Sequence, residues 1–102
     1  MAQFDVFKNP RGGAFPLLLD MQTDLLSRLA TRVVVPMASL KKYGAKPIGR
    51  LNPIVVVRGV EYVSVFQELA AIPTSALGER LESVAGRRAE LVAALDLMFT
   101  GI

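Results

Sequence analysis

Arg87-Arg88-Ala89-Glu90-Leu91-Val92-Ala93-Ala94-Leu95-Asp96-Leu97-Met98-Phe99-Thr100-Gly101-Ile102 is the stretch that dictates how the rest of the chain must be arranged. Leu91, Leu95, Met98 and Ile102 recur at i, i+4, i+7 and i+11, so they share one helical face. Val92 and Phe99 widen that face. A helix this apolar needs a surface to lie on, and the chain before it reads as a small sheet. Gly101 stands where a left-handed C-cap is expected, with Ile102 projecting past it. Phe99 and Ile102 together exceed what a small sheet can cover, so an apolar end at an interface is expected. Arg87 and Arg88 stand at the helix start, the end disfavoured for cations. Either a carboxylate or partner lies nearby, or both are simply solvated.

Working back from the helix, the strands come in hairpins. Gln3 to Lys8 alternates polar and apolar residues, with Phe4 and Val6 on one side and Asp5 and Phe7 on the other. Asn9-Pro10-Arg11-Gly12-Gly13 is turn chemistry, and Phe15 to Asp20 is the return strand, with Pro16 near its start. Met21 to Leu29 reads as an excursion containing a turn. Leu25 and Leu26 within it either cap a barrel end or form an exposed contact patch. Thr31 to Ala38 is a β-branched strand that is expected to bend or change partner at Pro36. Ser39 to Asn52 is a basic loop broken by Gly44, Pro47 and Gly49. Ile54 to Val57 and Val60 to Phe66 form a second hairpin around Arg58-Gly59, where a positive φ is needed. Leu69 to Leu77 is expected to be the last strand, with Gly78 to Ala85 a connector holding at most a helical turn. Five or six short strands and one terminal helix predict an α+β fold, residues 1–102 forming one domain. Its sheet is antiparallel and strongly bent, or a partly open barrel.

Composition narrows the chemistry. The 102 residues include no cysteine and no histidine. Disulfides, thiolate chemistry, zinc–thiolate sites, Ser-His-Asp triads and Cys-His pairs are excluded, and the most common general base and metal ligand are missing. A non-enzyme with no metal and no cofactor is the expectation. No apolar run approaches the roughly 20 residues of a membrane span. Met1-Ala2-Gln3-Phe4-Asp5 has no basic or apolar leader region, so a cytoplasmic protein is expected. The net charge of +3 is unevenly spread. Between Asp24 and Glu61 there is no acidic residue, while Arg28, Arg32, Lys41, Lys42, Lys46, Arg50 and Arg58 all fall there. This segregation points to an acidic partner, or to a loop charged only for solubility. Only Tyr43 offers an aromatic among these cations, so a nucleic-acid surface is weakly supported. No Walker A, Gly-x-Gly-x-x-Gly or metal-ligand cluster is present. Asp20 and Asp24, four apart in an expected loop, read as solvated or turn-capping acids, the alternative being a two-carboxylate site.

The residues that remain resemble a known family. Phe4, Asp20-Met21-Gln22-Thr23-Asp24-Leu25-Leu26, Arg32-Val33-Val34-Val35-Pro36-Met37-Ala38-Ser39 and Asp96-Leu97-Met98-Phe99-Thr100-Gly101-Ile102 are similar to the CcdB toxins of toxin–antitoxin systems, over the whole length and almost without gaps. The resemblance implies a small SH3-like antiparallel barrel of the CcdB/MazF type, with the C-terminal helix packed on it. It implies a homodimer that binds the DNA gyrase A subunit, inserts between its dimerisation arms and traps the cleaved-DNA state without catalysis. A CcdA-like antitoxin would neutralise it with an acidic, disordered segment. Plasmid maintenance and autoregulated transcription belong to such systems, and DNA binding is not expected without the antitoxin.

Carried over by position, the gyrase contacts fall on Leu25, Leu26, Asp96, Phe99, Thr100, Gly101 and Ile102. The basic residues Lys41, Lys42, Lys46 and Arg50 suit the acidic antitoxin. Two positions depart from the family: its usual tryptophan is Thr100 here, and its usual asparagine is Asp96. The resemblance therefore also admits a homologue that keeps dimerisation and antitoxin binding but not poisoning. The fold shared with MazF relatives admits an endoribonuclease using Arg with Asp or Thr.

Overall fold

A computed structural model describes residues 1–101. It contains seven strands: β1 (Asp5–Lys8), β2 (Leu17–Asp20), β3 (Thr31–Ser39), β4 (Ile54–Val57), β5 (Val60–Ser64), β6 (Ala70–Pro73) and β7 (Arg80–Ser83). One helix follows, α1 (Arg88–Thr100). The strands pair antiparallel in the order β4-β5-β3-β2-β1-β7, and β6 pairs with β3 off that path. The sheet curls into a half-barrel with the helix against it, the bent-sheet architecture that the hairpin pattern predicts.

The long strand β3 is the axis of the curl. Along one edge Thr31–Val34 pairs with β6, and Met37–Ser39 pairs with β5. The change of partner falls around Pro36, as its missing N–H leads one to expect. Its carbonyl accepts the Val65 N–H at 3.0 Å, so the backbone beyond β5 stays tied to the bend. The Arg58-Gly59 hairpin turn has φ values of 49° and 80°, the paired positive angles that join two twisted strands tightly.

β7 corrects the sequence reading, which took Gly78 to Ala85 as a connector and Leu69 to Leu77 as the last strand. β7 pairs with β1, Asp5 opposite Ser83 and Phe7 opposite Arg80, with a bulge between Val6 and Phe7. Arg58 then bridges from the far hairpin: its N–H donates to Glu82 Oε1 at 2.5 Å and its Nη2 to the Leu81 carbonyl at 3.0 Å. These bonds bring the β4–β5 end of the sheet to the β7 end.

The core lies inside the curl. Val6, Leu17, Leu19, Val35, Met37, Val55, Val57 and Phe66 fill it with Phe4, Met21 and Val84, and Leu91 and Ala94 enter it from α1. Val92 and Leu95 pack at its margin. Met98 departs from the expected face: it is 39% exposed. The helix meets the turns at Gly49–Leu51, Phe66–Glu68 and Ala85–Arg87, so its last turn runs past its support. Gly101 takes φ 75° and its N–H donates to the Leu97 carbonyl at 3.1 Å, the expected left-handed cap.

The cations at the helix start are accounted for within the chain. Arg87 Nε donates to Glu90 Oε1 at 2.7 Å, and the Arg88 guanidinium lies 5.5 Å from the Phe4 ring centroid.

Candidate functional site

Two apolar surfaces stand out from the barrel. The first is the 3-10 turn Asp24–Leu26, capped by Thr23, whose hydroxyl accepts the Leu25 N–H. Leu25 is 92% exposed and Leu26 and Leu29 are about half exposed. Of the two readings the sequence left open, an exposed patch is what forms, and the leucines do not cap the barrel. The second surface is the overhanging end of α1, where Phe99 is 67% exposed and Asp96 and Thr100 are also exposed. Thr100 Oγ1 donates back to the Asp96 carbonyl at 2.7 Å, so its hydroxyl serves the helix end. The expected contact Ile102 lies outside the described residues.

Beneath the first surface lies a polar cluster that sequence reasoning misassigned. In sequence Arg32 is one of the cations of the acid-free interval and Asp20 one of two acids expected in a loop. Both side chains are fully buried, Asp20 at the end of β2 and Arg32 near the start of β3. Arg32 Nη2 lies 2.6 Å from Asp20 Oδ2, and its Nε donates to the same oxygen at 2.9 Å. Asp20 Oδ1 accepts the Gln22 N–H at 2.9 Å. Burial pushes the Asp20 carboxyl above its ordinary value, opposed by the Arg32 and Gln22 hydrogen bonds. Arg32 Nη1 is buried and has no hydrogen-bond partner among the described residues. Leaving a buried N–H unpaired costs about 1–3 kcal/mol. Asp24, whose Oδ1 accepts the Gln3 N–H at 2.8 Å, is 3.9 Å from Arg32 Nη2.

A signal for this cluster was present. Asp20 follows three leucines and Arg32 precedes three valines, so each charge is embedded in a buried strand. The β2–β3 register, with Asp20 opposite Val34, brings the two charges together.

The basic interval forms a separate face. Lys41, Lys42, Lys46 and Arg50 are all exposed on the loop after β3. Arg28 is exposed on the turn beyond Leu26, whereas Arg32 is buried and Arg58 is engaged in closing the sheet. Between this loop and α1 lies an open, mainly apolar groove of about 560 Å³, bordered by Pro47, Arg50, Pro53, Ile54, Glu90 and Ala93. Asn52 beneath it is buried and satisfied by Ser64, Gln67 and Ile48. Among the described residues no cluster of three or more Asp or Glu could hold a metal, and no helix is long and apolar enough to cross a membrane.

The family model described as CcdB protein matches residues 3–101. Among solved structures, an endoribonuclease in complex with its cognate antitoxin, from Mycobacterial species, superposes with a TM-score of 0.75 at 16% identity, over 96% of this chain and 93% of that one. The Mycobacterium tuberculosis toxin MazF-mt6 superposes with a TM-score of 0.72 at 14% identity, over 93% of this chain and 94% of its own. At such identities the likeness is one of fold, and it is the fold of MazF-type toxins.

Proposed function

From the premise that this chain belongs to the CcdB family, we propose that it is the toxin of a toxin–antitoxin pair that binds the DNA gyrase A subunit. It acts as a cytoplasmic homodimer that inserts between the dimerisation arms and traps cleaved DNA. It does so by binding alone, with no cofactor. The observation that carries this reading is the pair of protruding apolar surfaces, Leu25 with Leu26 and Phe99 with Thr100, on a barrel that has no use for them in its own core. Solvent-facing leucine and phenylalanine side chains on a capped turn and a helix suit a protein target.

Lys41, Lys42, Lys46 and Arg50 form the face that receives an acidic CcdA-like segment. Purified gyrase decides the matter. The protein should bind the A subunit and accumulate cleaved DNA; no complex and no cleaved DNA at high protein concentration would sink the proposal.

A second reading is favoured by one observation, the Thr100 side chain turned onto its own helix. Where the family's tryptophan offers a stacking ring, this residue offers none, and a homologue confined to dimerisation and antitoxin binding results. Arrest of growth by the unmodified protein excludes it. An endoribonuclease draws on nothing beyond the shared barrel, and incubation with RNA tests it.

A further inference from the structure

The turn that carries Leu25 and Leu26 is tied down from below by one side chain. Gln22 is 7% exposed. Its Nε2 donates to the Leu26 carbonyl at 3.1 Å and to the Thr31 carbonyl at 3.2 Å, closing both ends of the excursion between β2 and β3. Its Oε1 accepts the Val33 N–H at 3.1 Å, anchoring the amide to β3. The Gln22 backbone is held in turn: its N–H by Asp20 Oδ1 at 2.9 Å and its carbonyl by Arg32 Nη2 at 3.5 Å.

This is an expensive way to make a barrel end. It buries an ion pair and leaves the guanidinium Nη1 unpartnered among the described residues, where apolar residues of like volume are commonly as stable or more so. Buried polar networks can instead specify a single local geometry. The bonds of this one link the excursion to the two strands that flank it, through Asp20 on β2 and Thr31, Arg32 and Val33 on β3. The turn it holds carries Leu25, which is 92% exposed, and the half-exposed Leu26.

We infer that Gln22, backed by the buried Asp20–Arg32 pair, is a positioning residue that fixes Leu25 and Leu26 in the orientation in which they meet their protein target. The inference rests on the target-binding reading above. Gln22 touches no target itself; it acts through the two leucines.

The test compares three full-length proteins, Gln22→Met, Leu25→Ala with Leu26→Ala, and all three changes together, for affinity to the purified gyrase A subunit. Amide hydrogen exchange over residues 23–30 is followed in the free proteins. Gln22→Met should weaken binding about tenfold and speed exchange in the turn. It should cause no further loss where both leucines are already alanine, a coupling that general destabilisation would not produce. Full additivity of the losses, or parental binding by Gln22→Met while the leucine variant fails to bind, overturns the inference alone. Parental binding by the leucine variant overturns the target reading of this turn, and the inference with it. If Gln22→Met does not fold, Gln22→Asn, which keeps the amide and shortens its reach, takes its place under the same criteria.

Discussion

Arg32 shows how far a single residue can depart from its compositional role. In sequence it is one of seven cations in an acid-free interval; in the fold it is buried against Asp20 and leaves that interval's surface charge to its neighbours. Removing it alone strands a buried carboxylate, so Arg32→Met should lower unfolding free energy by about 3–5 kcal/mol. Pairing it with Asp20→Leu should return most of that loss, because the uncompensated charge goes too; urea denaturation of both variants checks this. Thr100 makes the opposite point. Its hydroxyl closes onto the Asp96 carbonyl, so its replacement disturbs little beyond the helix end. Thr100→Trp should leave the melting temperature nearly unchanged and raise affinity for the gyrase A subunit about tenfold, which calorimetry would measure. Unchanged affinity would count against the helix end as a target surface.

At the level of elements, local chemistry was legible and distant pairing was not. Both hairpins, the partner change at Pro36, the Arg58-Gly59 turn and the Gly101 cap could be read because each is signalled by residues adjacent in sequence. β7 could not. Arg80-Leu81-Glu82-Ser83 has a single apolar residue, and what makes it a strand is pairing with β1, more than seventy residues away. The helix register was half legible: periodicity found Leu91 and Leu95, but no pattern tells where the sheet beneath runs out, and Met98 lies beyond that limit. The Asp20 site was legible only through its flanks, the leucines before Asp20 and the valines after Arg32, since a charge in a buried strand and a charge in a loop are the same letter. The approach of β7 to β1 is tight at its start. A Cβ on Gly78 would sit 2.6 Å from the Lys8 carbonyl oxygen, and the Gly78 N–H donates to that oxygen at 2.9 Å. Gly78→Ala must push two backbones apart, so a loss of about 1–3 kcal/mol is expected in thermal or urea unfolding. A loss of this size at a glycine with open space, such as Gly44, is not expected.

Over the whole molecule, charge is sorted by job. Exposed cations gather on the loop after β3, while in the last third Glu79 pairs with Lys8 of β1, Glu82 accepts the Arg58 N–H and Glu90 pairs with Arg87. The Asp5–Arg80 pair, with Nε to Oδ2 at 3.0 Å, bonds the first strand to the last. Burial pushes the Asp5 carboxyl up, but the hydrogen bonds from Arg80 and the Ala2 N–H, with the Arg80 charge, outweigh it and hold it below its ordinary value. A carboxyl lowered by folding adds stability that is complete above its ordinary value of about 3.9 and is lost as pH falls through the folded value. Arg80→Met should therefore melt below the parent at neutral pH, and the gap should close as the pH falls through the lowered Asp5 value. A gap constant with pH would mean that the pair contributes nothing specific.

The pairing of β1 with β7 also determines when the molecule can come into being. Asp5–Phe7 has no partner on its outer side until Arg80–Ser83 has been synthesised and released, and α1 follows later still. The closing step is thus long-range, of the kind that slows β-rich domains to about milliseconds to seconds. A chain still emerging from the ribosome holds its early hairpins open, without the floor on which Leu91 and Ala94 settle. The helix end is therefore seated only after this long-range pairing, whereas the early turn is held by bonds within residues 20–33.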